Sequence, residues 1–167
     1  LILLLTFLIQ GISAQDEFLN IFKNEVDRNL SVLKEQPVPA YYVHYRVYDT
    51  DAYYIQSTFG KLMNSSSNIN RLFHATVRVG NHEMDNTREL KGDSFGSSAY
   101  GGTNALALEN DPLAIRMALW NKTDQLYKDA VKQYEKVKAN VAVKVASEDK
   151  SNDFSVETME KYYEKPI

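Results

Sequence analysis

Apolar residues recur at helical spacing in two parts of the chain. In the first part, steps of three or four residues predict an amphipathic helix that begins near Gln15, with its apolar stripe formed by Leu19, Phe22, Val26, Leu30 and Leu33. Pro37 and Pro39 end this helix, because proline cannot donate a backbone hydrogen bond and restricts the residue before it.

The second helical part follows "NDP" at Asn110–Pro112. Asp111 is placed to cap the free N–H groups of the first turn, and Pro112 suits the first helical position. The apolar residues predicted to face the core are Leu113, Met117, Trp120, Tyr127, Val131, Tyr134, Val137 and Val141.

Between the helices the pattern changes to the two-residue alternation of β-strands. Val43, Tyr45 and Val47 alternate with polar or amphipathic neighbours, and the acidic pair Asp49 and Asp51 favours a tight turn. Residues 53–59 then form a second predicted strand, "NSSSNINR" a polar turn or loop, and "RLFHATVRVG" a third strand. Neighbouring strands with short links favour an antiparallel meander.

Residues 81–110 show no sustained period, and the Gly- and Ser-rich "KGDSFGSSAYGGT" predicts a long loop. A short strand is possible near Ala105–Leu108. The predicted fold class is therefore α+β: an antiparallel sheet of three to five strands with two main helices packed on one face.

The first residues of the chain bear on the cellular location of the protein. "LILLLTFLI" is apolar but shorter than the roughly 20 residues that span a bilayer, and "QGISA" supplies small residues before a cleavage point after Ala14. Residues 1–14 are predicted to be a signal peptide truncated at its start, residues 15–146 an α+β domain, and residues 147–167 a polar linker toward a missing C-terminal part. We expect an exported protein of the bacterial periplasm, cell envelope or extracellular space, with no stable membrane span after signal cleavage.

The net charge of −3 gives no reason to expect a nucleic-acid partner, and the absence of cysteine excludes thiolate ligands. "HEMDN" begins like a zinc-protease helix motif, but Asn86 stands where the second histidine belongs, and Thr87 fails the variant that is one residue longer. No catalytic or metal-ligating residue is assigned. A zinc site built from His44, His74 and His82 is left as a minor alternative to ordinary strand and loop histidines.

Six tyrosines lie between Tyr41 and Tyr54. Tyrosine offers a large amphipathic contact area at low entropic cost, so a tyrosine-rich hairpin is a possible binding face for peptide or glycan, with Tyr42, Tyr48 and Tyr53 as its candidates. The alternative is a sheet built from residues that favour strands.

Several segments, in order, resemble the N-terminal part of TldD/PmbA proteins, which are modulators of DNA gyrase described as predicted zinc metallopeptidases. The firmest are "VRVGNHEMDNT" and "ALWNKTDQLYKDA", within a resemblance that runs from Pro39 to Ser155. The residues that carry it are expected to be structural: Val79, Gly80, Asp85, Asn86, Thr87, Trp120, Thr123, Asp124 and Tyr127.

The resemblance implies a longer protein whose C-terminal part carries the zinc site, as His-Glu-x-x-x-His with a further ligand. This chain would then be a non-catalytic N-terminal domain that serves dimerisation and substrate access. No cofactor is expected in it, although zinc is expected in the full-length protein. The implied partners are a homo- or hetero-dimer and, through the missing domain, an unfolded peptide substrate. A small secreted binding module that uses the tyrosine-rich hairpin is the alternative function.

Overall fold

A computed structural model describes residues 14–90, 102–143 and 152–158, together with residues 160, 162 and 164. Helix α1 spans Ala14–Lys34, strand β1 Ala40–Thr58, strand β2 Lys61–Val79, strand β3 Asn104–Ala105 and helix α2 Pro112–Val143. The sheet order is β1-β2-β3 and both pairings are antiparallel. Both helices contact the strands and each other, so the predicted α+β class is confirmed.

The helix ends follow the signals in the sequence. α1 ends at Lys34, before Pro37. At the start of α2 the carboxylate of Asp111 accepts a hydrogen bond from the backbone N–H of Leu113 at 2.9 Å, which is the predicted cap.

The predicted turn at Asp49–Asp51 is wrong. β1 continues through these residues in unbroken register with β2, and the chain reverses at Phe59 and Gly60. Both residues have positive φ angles, 45° and 75°, as a type I′ hairpin turn requires. The stretch "NSSSNINR", predicted as a loop, belongs to β2.

The core lies between the inner face of the sheet and the two helices. Phe73, Ala75, Val77 and Val79 contribute alternate residues of β2, and α2 contributes Ile115, Leu119, Leu126 and Ala130. The predicted stripe of α2 is therefore wrong in its first half, where Leu113, Met117 and Trp120 are exposed. A buried polar chain connects three elements: Tyr45 Oη accepts a hydrogen bond from Asn29 Nδ2 at 2.9 Å and shares another with Thr123 Oγ1.

Two predicted regions fall largely outside the described residues. These are the signal peptide, of which only Ala14 is described, and the Gly- and Ser-rich loop at residues 91–101. Among the helices in the described ranges, none is long and apolar enough to cross a membrane.

Candidate functional site

The distal half of the β1–β2 hairpin projects beyond the helices. Every residue from 48 to 69 is exposed, and we call this segment the ribbon. At a strand rise of about 3.3 Å per residue, its two strands extend about 30 Å. Arg71 anchors the base of the ribbon: its guanidinium donates to Asp49 Oδ2 at 2.7 and 3.1 Å and to Asn110 Oδ1 at 2.8 Å.

Strand alternation gives the ribbon two chemically different faces. The inner face continues the side that packs against the helices, and it carries Tyr53, Ile55 and Ile69. Tyr53 and Ile55 are 74% and 70% exposed, so these large side chains contact little within the chain. The inner face of the ribbon therefore carries large uncovered apolar side chains, interspersed with Asp51, Ser65 and Ser67.

The structure does not bring the three candidate tyrosines together. Tyr42 and Tyr48 lie on the outer face of the sheet, whereas Tyr53 lies on the inner face and donates a hydrogen bond to Asp51. The tyrosine that joins the outer row is Tyr54, six residues after Tyr48. Side-chain alternation along one continuous strand would have placed Tyr54 on the outer face, but the predicted turn at Asp49–Asp51 interrupted that alternation.

The outer face near the body of the domain is lined by cations and aromatic rings. The cross-strand pairs there are Tyr42 with Arg78, His44 with Thr76, and Arg46 with His74. The Arg78 guanidinium lies between two rings, with its Cζ 3.6 Å from the Phe154 centroid and 4.9 Å from that of Tyr42. Such stacking fixes the position of the guanidinium.

The local charge affects His44. Burial lowers the pKa of His44, and the positive charges of Arg46, His74 and Arg78 lower it further. The imidazole also stacks on Tyr42, with ring centroids 6.1 Å apart. At neutral pH His44 is therefore uncharged beside Arg46 and Arg78.

The loop after β2 has a structural role. Gly80 has a φ of 102°, which favours glycine, and it bridges to Asp85. Asn86 is fully buried, and its Oδ1 accepts the backbone N–H of Val79 at 2.8 Å. The amide thus completes the hydrogen bonding at the end of β2.

Asp85 is a fully buried carboxylate with three donors in the described residues. Tyr41 Oη donates to Oδ2 at 2.7 Å, and the backbone N–H and hydroxyl of Thr87 both donate to Oδ1 at 2.7 Å. Burial, and then the hydrogen bond and charge of Asp85, raise the pKa of Tyr41 well above its usual range. These contacts satisfy the carboxylate as a structural group.

The same loop is tied to the chain beyond α2. Asp153 accepts the backbone N–H of Asp85 at 2.9 Å and pairs with Arg88 at 2.8 Å, while the Phe154 N–H donates to His82 O. This segment places Phe154 against Arg78. The residues after α2 therefore cover one end of the outer face.

The α2 residues of the resemblance divide between the core and the surface. Thr123 is buried against Tyr45, and Tyr127 Oη donates to Val38 O at 2.9 Å. Asp124 forms an ion pair with Lys128. Trp120 is 52% exposed and lines a cavity of about 350 Å³, whose other lining residues are Glu25, Arg28, Arg116 and Met117.

The histidines do not assemble a metal centre in the described part of the chain. There, no three residues among His, Asp and Glu lie where they could hold a metal ion. His82 packs on Tyr41, with ring centroids 4.7 Å apart, whereas His44 and His74 lie on the outer face of the sheet.

Comparison of the chain with protein-family models, curated proteins and solved structures gave no match. The residues and the geometry of the ribbon and the outer face therefore carry the functional inference.

Proposed function

We propose that this chain is a non-catalytic assembly domain whose ribbon binds a second copy of the chain. We further propose that it forms the N-terminal part of an exported metallopeptidase of the TldD/PmbA type, with zinc held by a C-terminal part. The observation that carries the assembly role is the ribbon, with large apolar side chains uncovered on its inner face.

An isolated two-stranded ribbon is at best marginally stable in water. Residues 52–60 and 62–70 contain no charged side chain and no proline, the usual features that protect exposed strands from pairing. Four large apolar residues share the inner face of the ribbon: Tyr53, Ile55, Leu62 and Ile69. A protein partner on this face would remove these groups from water.

A second copy meets this requirement without any further chain. In a two-fold dimer the same patch covers itself, and each ribbon supplies a surface of equal length and chemistry. The face is about 30 Å long and about 10 Å wide, or about 300 Å² on each copy, which is below the roughly 800 Å² per partner of a standard interface. We therefore expect a weak dimer that dissociates at micromolar or higher concentrations.

Sedimentation equilibrium over a wide range of concentration tests the assembly role. Ile55→Asp places a charge at the centre of the apolar face, and Gln56→Asp places the same charge one residue away on the outer face. Burial of an Ile side chain stabilises by about 2 kcal/mol and the contact occurs twice, so Ile55→Asp should weaken the dimer at least about 100-fold.

The control should change the dissociation constant by less than about threefold, since its charge stays in solvent. A chain that is monomeric at all concentrations, or equal effects of the two variants, would overturn the dimer. Shortening the hairpin by joining Asp51 to Ile69 through Asn-Gly should also abolish the dimer, because it removes most of the apolar face and keeps the core.

The peptidase context has its own test. The gene should continue past Ile167 and encode His-Glu-x-x-x-His, and the complete protein should contain zinc. A stop codon within a few codons of Ile167 would contradict this part while leaving the assembly role intact.

A further inference from the structure

Two of the six arginines lie on the outer face of the sheet, where they form no ion pair within the described residues. Of six arginines, four form ion pairs: Arg28, Arg71, Arg88 and Arg116. Arg46 and Arg78, both on the outer face, form none with the acidic residues in the described ranges. In a chain with a net charge of −3, this placement puts the exposed Arg46 and the half-buried Arg78 on one face.

The strand rows that carry the two arginines have a defined spacing. Arg78 pairs with Tyr42 and Arg46 with His74, so the two rows are four residues apart along β1, or about 13 Å. Arg46 reaches along the strand, with its Nη1 3.4 Å from Tyr48 Oη. Arg78 is held between rings, and its Nε is buried with no hydrogen-bond partner in the described residues.

We propose that this outer face binds an extended acidic peptide, with two carboxylates four residues apart that pair with Arg78 and Arg46. In an extended chain, residues i and i+4 point to the same side and lie about 13 Å apart, which matches the two rows. Tyr42 and Tyr48 flank the cations and provide apolar contact for the intervening residues.

A peptide fits this face better than a nucleic acid does. In duplex DNA the phosphates of one strand follow one another at about 3.4 Å along the axis, so phosphates between the two arginine rows would face His44. Burial and the adjacent cations keep His44 uncharged at neutral pH. The overall negative charge of the chain also repels a long polyanion. This inference does not rest on pairing of the ribbons.

Fluorescence anisotropy with labelled synthetic peptides tests the proposal on the complete chain. The probe is a Ser- and Gly-rich peptide with two glutamates at positions i and i+4. Two comparison peptides carry glutamine at both positions, or the two glutamates side by side. We expect the probe to bind about tenfold more tightly than either comparison peptide, and binding to weaken as salt is raised.

Arg46 is the residue to replace, because Arg78 packs between rings and its loss would disturb the fold. Arg46→Gln should weaken binding of the probe about tenfold, and Arg46→Lys should restore part of the affinity. Lys132→Gln, which removes an exposed cation on α2, is the control and should change affinity less than twofold.

Equal binding of the glutamine peptide, equal binding of the peptide with adjacent glutamates, or equal effects of Arg46→Gln and Lys132→Gln would overturn the proposal. Tighter binding of an oligouridine than of the probe, with the same dependence on Arg46, would assign the face to nucleic acid instead.

Discussion

Replacement of Gly80 by alanine tests the loop that ends β2. Gly80 has a φ of 102°, and an added Cβ would lie 2.5 Å from the backbone oxygen of Met84 and 2.7 Å from Cε2 of Tyr134. The first contact cannot be relieved by a rotamer change, because the atom belongs to the backbone. The same oxygen accepts the N–H of Asn81 at 3.1 Å, so any shift also disturbs the loop.

The expected loss of stability has two parts. A non-glycine residue at this positive φ costs about 1–3 kcal/mol, and forced overpacking costs about 1–3 kcal/mol more. Alanine also reduces the entropy of the unfolded chain, which offsets about 0.4–1 kcal/mol. The free energy of unfolding should therefore fall by about 1–5.5 kcal/mol.

Two other glycines provide matched controls. Gly60 has a φ of 75° but no atom within 4 Å of an added Cβ, so Gly60→Ala carries only the backbone strain. Gly102 has neither a positive φ nor a close atom, so Gly102→Ala should leave stability almost unchanged. The measurement is urea-induced unfolding followed by circular dichroism.

The order of effects decides the outcome. Gly80→Ala should destabilise the chain most, Gly60→Ala by at most about 1–2 kcal/mol, and Gly102→Ala least. If Gly80→Ala is no worse than Gly60→Ala, the close approach of Met84 and Tyr134 to Gly80 is wrong, and so is the structural role assigned to this loop.

Three further predictions concern the polar contacts of the fold. Arg71→Met removes the charged hydrogen bonds to Asp49 and should lower the free energy of unfolding by about 1–3 kcal/mol in urea titrations, whereas an unchanged midpoint would refute the anchoring of the ribbon base. Thr123→Val keeps the shape but removes the hydroxyl bonded to Tyr45, so it should cost about 1–2 kcal/mol by the same assay, and a neutral result would contradict the buried network. The pKa of His44 is lower in the folded chain than in the unfolded chain. As pH falls through about 6.5, the unfolded chain therefore binds a proton at His44 before the folded chain does, and the free energy of unfolding should decrease below that pH. His44→Gln should make the fall in stability shallower, and identical pH profiles of the two chains would refute this assignment.

The sequence by itself determined the local structure and the fold class. The prolines after α1 and the Asp111-Pro112 start of α2 act within a few residues of the backbone groups that they affect. The ends of the two helices can therefore be predicted without knowledge of the rest of the chain. Alternation at residues 71–79 predicted a half-buried strand, and β2 shows it.

Tertiary contacts decided where the hairpin turns. Asp49 and Asp51 have side chains that favour turns, yet both lie within β1. Arg71 on the paired strand binds Asp49, and the pairing with β2 continues without a break to Gln56. A long-range charge and a ladder of backbone hydrogen bonds outweighed a local preference. That register determines on which face of the sheet each tyrosine lies.

Tertiary structure also decided which side of α2 is buried. The helix carries two apolar stripes at its start, Leu113–Met117–Trp120 and Ile115–Leu119, and helical spacing alone does not choose between them. Packing against the sheet buries the second stripe, and the first stripe remains exposed to solvent. Likewise, the helices cover the inner face of the sheet, so Arg46 on the outer face remains exposed. The sequence alone contains these residues but does not say which face the helices cover, because that depends on contacts between distant segments.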